Sequence, residues 1–489
     1  MTFRHLLGVV CLYLAIQACW FLVIPAFEGP DEIQHYDHAR YVAVNGHLPD
    51  KVPSRANEGD YFTGEWTQEV AYYWMFGWIL RPTGFQHVRP GDRLVESAHS
   101  IWSGGHSPPV FAHGTPLPPD VVNGMLVGRV LSVLFGLGTL LAVFFAIRAC
   151  TRDERIAVLA TGCVALVPQF GAQHIFITND TPAAMWASIA SALIVAFLAQ
   201  PIDAPGGAGL DHRGRVANSG GFVPADWRLS LAIGLATGLA IATKLTAGLI
   251  VIAMPLALWA RRRSASANGA DASWYGRRPH AVHAIAWIAG LLATAGVAFG
   301  RNWIVFGDPL ATALKKTLVS QFGFKTVFKP GELDSYVDLA QMLFRGIWSS
   351  IGWGAWMPDA IWLKVLFAAL TVFLFVCLGI GAWLAIRGTS RASVTLRVML
   401  TVLVLHAAAF LVSISLVAGY SARYFLPMIV PFIVVALLGA QRLFDVLRAR
   451  AGADAVRWTV TGVILTLAIV WIGTFSAALA AFHFEGALK

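Results

Sequence analysis

Two adjacent carboxylates and two histidines stand at the exit of the chain's first apolar run. That run extends from Leu6 to Phe27, and Gly29-Pro30-Asp31-Glu32-Ile33-Gln34-His35-Tyr36-Asp37-His38 follows it directly. Ionisable groups placed at the end of a membrane-length segment are costly and mark function by default. In a helix that starts near Pro30, Asp31, His35 and His38 fall at i, i+4 and i+7 on one face. A carboxylate partly screened from water can serve as general base for a hydroxyl or as a metal ligand. Asp31 and Glu32 are therefore the catalytic candidates. The plainer alternative is an acidic pair that interacts with a helix N-terminus. His35 and His38 either orient a carboxylate, ligate a divalent cation together with Asp31, or supply interfacial polarity.

Cations expected at the same membrane level are sparse. Lys244 lies in an apolar hairpin, Arg301-Asn302 at the end of a long apolar run, and Arg423 in Gly419-Tyr420-Ser421-Ala422-Arg423-Tyr424. Arginine grips phosphate as a bidentate fork, and lysine does so as a point charge. Opposite an acidic pair, these three can hold the phosphate of a lipid-linked sugar while a carboxylate activates the acceptor. Otherwise they snorkel, or pair with Asp31, Glu32 or Asp180. Arg129 is expected to brace the acidic loop. Asn179-Asp180 either joins the site or caps the helix that begins at Asp180-Thr181-Pro182. The Trp-rich stretch 346–356 is either interfacial packing or an aromatic sugar platform. The sequence carries no phosphate-binding Gly-rich loop, HExxH or GxSxG pattern in a credible context, so soluble nucleotide chemistry has no visible site.

These residues need a membrane scaffold. Of the 489 residues, 57% are hydrophobic and 13% charged, against roughly 25% charged in soluble domains. The fold class is an all-α polytopic membrane protein. About eleven apolar runs approach the length needed to span a bilayer: 5–27, 127–148, 156–176, 182–200, 228–243, 245–260, 281–304, 361–386, 398–418, 424–441 and 458–481. The first is expected to be an uncleaved span. Basic residues cluster in alternate short loops, as in Arg148/Arg152/Arg155, Arg261–Arg263 and Arg442/Arg448/Arg450/Arg457. By the positive-inside rule this places the N-terminus in the cytoplasm and Asp31 outside. The net charge of +9 is topology information and not a nucleic-acid patch. Within a single transmembrane domain over 1–489, two long outer segments are expected, 28–126 and 305–360. The first carries an interfacial or re-entrant helix near 67–78, and 201–227 reads as a flexible inner connector. The five cysteines have neither metal spacing nor the look of a disulfide framework.

Taken in order, the motifs resemble a known family. After the acidic motif come Gln68-Glu69-Val70-Ala71-Tyr72-Tyr73, Val127-Gly128-Arg129-Val130-Leu131-Ser132, Val167-Pro168-Gln169 and Asn179-Asp180. Gly234 to Leu239, Thr243-Lys244, Arg301-Asn302, Gly307-Asp308-Pro309 and Ala422-Arg423-Tyr424-Phe425-Leu426-Pro427 follow. The set resembles the GT-C superfamily of integral membrane glycosyltransferases, closest to a bacterial branch with a Pro-Asp-Glu-x-x-His motif. Protein O-mannosyltransferases and the lipid A aminoarabinose transferase are more distantly similar. The resemblance implies that Asp31, with Glu32 beside it, lies at the active site as the base. It also implies that Lys244, Arg301 and Arg423 bind the phosphate of a polyprenyl-phosphate sugar. His35, His38, Glu69, Tyr72, Arg129, Asn179, Asp180 and Tyr424 are substrate-binding or structural positions. The family usually carries Pro-Pro before Leu-Tyr-Tyr where this chain has Glu69-Val70-Ala71-Tyr72-Tyr73, which leaves the role of Glu69 open.

The expectation is a bacterial inner-membrane enzyme. It moves a sugar, with inversion, from a polyprenyl-phosphate donor to a glycan, lipid or protein acceptor at the outer face. A divalent cation is a candidate cofactor, with Asp31, His35 and His38 as its ligands. A transporter or flippase of a lipid-linked glycan is the alternative, and a non-catalytic scaffold in an envelope-polysaccharide complex a weaker one. The first loop and the lack of repeat symmetry favour the enzyme.

Overall fold

The computed structural model describes residues 2–27, 29–50, 57–58, 61–62, 65–66, 68–88, 94–96, 109–111, 118–200, 227–267, 274–312, 328–348, 358–416 and 422–480. Among these residues, eight helices are long and apolar enough to cross a membrane. The chain is a multi-pass, predominantly helical membrane protein. Helix α1 (Thr2–Val23) is followed by α2 (Glu32–Asn45), α3 (Ala71–Leu80), α4 (Pro119–Thr151), α5 (Glu154–Ala165), α6 (Pro168–Gln173) and α7 (Asp180–Ala199). Then come α8 (Trp227–Thr243), α9 (Ala253–Ala267), α10 (Trp274–Phe306), α11 (Leu333–Trp348), α12 (Ile361–Arg387), α13 (Arg391–Leu416) and α14 (Ile429–Leu479). Two antiparallel ribbons, Asn57–Glu58 with Tyr61–Phe62 and Leu94–Glu96 with Pro109–Phe111, lie in the first long loop.

One of the eleven expected runs needs correction. The run 156–176 is not one helix, because Pro168 cannot donate to the helical ladder and its ring disfavours helix in the residue before it. Val167 is accordingly extended, and α6 starts afresh with Pro168 in its first turn. The break near Thr243 is real. Lys244 is extended (φ −157°, ψ 125°) between α8 and a 3₁₀ segment, Leu245–Ile252, that leads into α9. The last two runs, 424–441 and 458–481, lie on two helices that meet at a kink at Gly452 (φ 86°), a backbone that glycine adopts without a Cβ clash. The connector 201–226 and most of the Trp-rich stretch lie outside the described residues. Trp348 is buried and donates from Nε1 to the Thr371 hydroxyl at 2.7 Å.

Lipid gives helices little hydrophobic reason to pair, so close backbone approach and internal polar bonds hold the bundle. Helices α8 and α10 meet at Gly234 and Gly290, where any Cβ would collide with the backbone of the opposite helix. The main core joins α4, α5, α7, α8, α9, α13 and α14 through residues such as Leu140, Ile194, Ile233, Met254, Val402 and Val435. A second cluster positions the acidic motif. Ile33, Tyr36 and Ala39 of α2 pack with Tyr72, Tyr73 and Phe76 of α3 and with Met125 and Phe135 of α4. Its other face leaves Trp74 and Trp78 of α3 exposed, in keeping with the surface-lying helix expected from those aromatics.

Candidate active site

The two adjacent acids have separate environments. Glu32 is fully buried and filled. Its carboxylate accepts from Arg129 Nε at 2.9 Å and Nη2 at 3.0 Å, from the Gly29 amide at 3.1 Å and from the Ile177 amide at 3.2 Å. Arg129 also donates to the carbonyls of Ile24 at 2.9 Å and Pro25 at 2.6 Å. This one pair therefore ties the end of α1, the start of α2, α4 and the segment before α7. Arg129 is the brace expected of it, and Glu32 is its counterpart, turned away from any open cleft.

Asp31 is placed differently. It occupies the N-cap position of α2 with a left-handed backbone (φ 57°, ψ 11°), yet its side chain makes no capping bond. A non-glycine residue in that region carries strain, and such strain concentrates at functional sites. The side chain points instead to Arg423, whose Nη2 donates to Asp31 Oδ2 at 2.7 Å. The Asp31 side chain keeps 22% of its surface exposed, against 1% for Asp180. The same guanidinium reaches Asp180, with Nε 3.5 Å from Oδ2. Lys244 Nζ lies 2.6 Å from Asp180 Oδ1 and donates to Asn179 Oδ1 at 3.2 Å. Asn179 stands at the N-cap of α7 without a side-chain capping bond. The pair 179–180 thus serves Lys244 and Arg423 in place of the cap that was the plainer reading. The ring of Tyr424 lies 5.2 Å from Lys244 Nζ and 5.8 Å from the Arg423 guanidinium carbon, within cation–π range.

Three expected members sit elsewhere. Arg301 donates to the carbonyl of Pro49 and, at 3.1 Å, to Asn302 Oδ1, so it secures the end of the loop after α2. Tyr72 is buried among Tyr73, Phe76 and Phe135. Glu69 is buried just ahead of α3.

The histidines also divide. His38 stacks on Tyr73 with centroids 3.8 Å apart, and its Nδ1 lies 3.0 Å from the Glu65 carbonyl oxygen. His35 Nδ1 lies 2.7 Å from the Tyr73 hydroxyl, which in turn donates to Glu65 Oε2 at 3.5 Å. The group that converges with metal-ligand spacing is Asp31, His35 and Glu65, one ligand atom each, all within 4.8 Å of one another. The set Asp31, His35 and His38 is corrected accordingly, because the turn before α3 brings Glu65 where helical spacing alone would bring His38. Burial pushes both histidines below their ordinary range, so they are neutral ligands or acceptors. Burial, and then the charge of Asp31, pushes the Glu65 carboxyl upward. Glu65 was missed because Thr63-Gly64-Glu65-Trp66 reads as ordinary loop chemistry.

The arrangement puts one accessible carboxylate next to two cations that share a second, buried carboxylate. It can accept a proton on one side and neutralise a phosphate on the other. Comparison with known proteins bears on this chemistry. Residues 113–295 match the family model described as dolichyl-phosphate-mannose-protein mannosyltransferase. No curated protein sequence matches the chain. The fold is similar to that of ArnT from Cupriavidus metallidurans, solved bound to undecaprenyl phosphate, with a TM-score of 0.52 and 15% identity over 98% of this chain and 78% of that one. At 15% identity this likeness is one of fold. The fold is also similar to that of the Archaeoglobus fulgidus oligosaccharyltransferase in its apo form, with a TM-score of 0.51 and 15% identity over 98% of this chain. The chain spans only 56% of that longer protein. A structure of the same enzyme with Zn and sulfate gives a TM-score of 0.52 at 15% identity, over 97% of this chain and 53% of that one. The family match contains Arg129, Asn179, Asp180 and Lys244 and stops short of Asp31 and Arg423 on either side.

Proposed function

We propose that this protein is a GT-C glycosyltransferase that transfers a sugar from a polyprenyl-phosphate donor to a hydroxyl or amide acceptor at the extracytoplasmic face, with inversion at the anomeric carbon. The observation that carries the reading is the convergence of Asp31, Asp180, Lys244 and Arg423 from four separate segments. Asp31 accepts the proton of the acceptor as the acceptor atom attacks the anomeric carbon from the face opposite the phosphate. The bond between that carbon and the phosphate oxygen breaks, and its electron pair leaves with the polyprenyl phosphate. Lys244 and Arg423 take up the developing charge. Fixed cations in a dry site supply this stabilisation without reorganising, so a general acid is not required. A guanidinium has five N–H donors and can hold a phosphate beside its carboxylate partners. An apolar groove of about 480 Å³ lies between Ile241, Leu245 and Gly248, on the segments either side of Lys244 in the chain, and Leu291, Ala295 and Phe299. That groove suits the isoprenoid chain of the donor.

Two carboxylates and one imidazole form a donor set suited to a divalent transition metal, so Asp31, His35 and Glu65 fit a metal ion. Bound there, a cation would lower the pKa of a coordinated hydroxyl. The basic loops named above favour a cytoplasmic N-terminus and hence an outer active site. The deciding experiment uses purified protein in nanodiscs, a panel of polyprenyl-phosphate sugars and candidate acceptors. Release of polyprenyl phosphate that stops in Asp31→Asn supports the transferase. Saturable donor binding with no release across the panel counts against it.

A further inference from the structure

Arg423 and Tyr424 are presented by a 3₁₀ segment, Ala422–Met428, that contains a proline at position 427. In a 3₁₀ ladder each carbonyl accepts from the amide three residues on. The carbonyl of Tyr424 therefore looks to residue 427, and proline has no N–H to give. This gap lies next to Arg423, in a chain whose bilayer offers no water to fill it. The missing donor comes from another helix. His406 of α13 is 4% exposed, and its Nε2 lies 3.0 Å from the Tyr424 carbonyl oxygen. A carbonyl only accepts, so the imidazole carries its proton on Nε2. The Phe425 ring lies edge-on to the same imidazole at 5.2 Å, and Phe410 packs on both Tyr424 and Phe425. A histidine within a span is a costly residue whose partner asks for a reason. Here the partner is the backbone that carries Arg423.

We infer that His406 is a positioning residue for donor binding. It supplies the hydrogen bond that Pro427 withholds from the Tyr424 carbonyl, and so fixes the turn that aims Arg423 and the Tyr424 ring at the phosphate site with Lys244. The inference rests on the phosphate role proposed above for Arg423 and Lys244. His406 touches neither sugar nor acceptor, so its loss acts on donor affinity and not on the chemical step.

The test measures binding of undecaprenyl phosphate in nanodiscs, together with donor KM and kcat, for His406→Leu, His406→Gln, Pro427→Ala and the Pro427→Ala/His406→Leu double variant. Arg423→Met serves as the control for the phosphate reading. The loss of one buried acceptor's partner corresponds to about a tenfold weakening. His406→Leu is expected to raise Kd and donor KM by about that factor while kcat at saturation stays near wild type. His406→Gln, which keeps a donor, is expected to restore affinity. Pro427→Ala returns an amide to the ladder and is expected to reduce the cost of His406→Leu. If His406→Leu does not fold, the glutamine variant and the double variant still carry the test, because each retains a donor at the carbonyl. Equal loss in His406→Gln and His406→Leu, additive effects in the double variant, or a fall in kcat with unchanged Kd would each overturn the inference. Unchanged binding in Arg423→Met would instead overturn the phosphate reading beneath it.

Discussion

Replacing Glu32 with glutamine should damage the protein in a way that replacing its neighbour Asp31 does not. Glu32 accepts four hydrogen bonds, two of them from a guanidinium that is itself 1% exposed. Glutamine keeps one acceptor oxygen and turns the other into an NH₂ group facing donors. The Arg129 charge then remains buried with neutral acceptors only, the carbonyls of Ile24 and Pro25 and the glutamine oxygen. Breaking one side of a buried pair costs about 3–5 kcal/mol, most of it the unpaired charge left behind. Asp31→Asn breaks a pair whose acid is 22% exposed. Arg423 keeps Asp180 as a second carboxylate partner, so the stability cost should be smaller than for Glu32→Gln, whereas loss of a general base costs about 10²–10⁴ in rate. The assay is thermal unfolding in detergent, followed by intrinsic tryptophan fluorescence, in parallel with polyprenyl phosphate release. Glu32→Gln should unfold at a much lower temperature and keep measurable turnover per folded molecule. Wild-type stability with abolished turnover in Glu32→Gln would refute the division of labour and return Glu32 to the catalytic step.

Three further outcomes follow from the same geometry. Lys244→Met removes a charge-assisted contact worth about 1.5–3 kcal/mol, so donor KM should rise by roughly 10- to 100-fold while kcat changes less; steady-state kinetics with a donor series checks this. If a metal occupies Asp31, His35 and Glu65, dialysis against EDTA should remove it, and elemental analysis should show it lost in Glu65→Gln and retained in His38→Gln. Gly234→Val places a side chain against the Trp287 backbone, and overpacking of this kind costs about 1–3 kcal/mol; a lowered unfolding temperature with unchanged donor KM in the folded fraction is the expected result.

The acidic motif was legible because charge is expensive at a membrane exit, whatever the fold. The same logic found Arg423, although 392 residues separate it from Asp31. Lys244 and Asp180 were singled out for the same reason, and their pairing stood among several possible partners, since a buried ion pair leaves no sequence spacing that would choose one. Arg301 met the same criterion and yet braces the Pro49 carbonyl, because sparseness shows that a cation has a partner and not which one. Glu65 and His406 were missed for opposite reasons. Glu65 sits in a polar loop where an acid attracts no notice, and only the packing of α3 on α2 turns it toward Asp31. His406 lies inside an apolar run, where its significance depends on a proline in the segment after that helix. The reading faltered at 156–176, where Pro168 breaks the helix, since hydropathy registers apolar length and not backbone continuity.

The central claim is that Asp31 is the base in transfer from a polyprenyl-phosphate sugar. The most direct test is polyprenyl phosphate release by purified wild-type protein and Asp31→Asn, read by mass spectrometry with a donor and acceptor that support turnover. The account predicts wild-type-like folding and donor binding in Asp31→Asn, with release reduced by about 10²-fold or more. Release at the wild-type rate from a folded Asp31→Asn protein would contradict it.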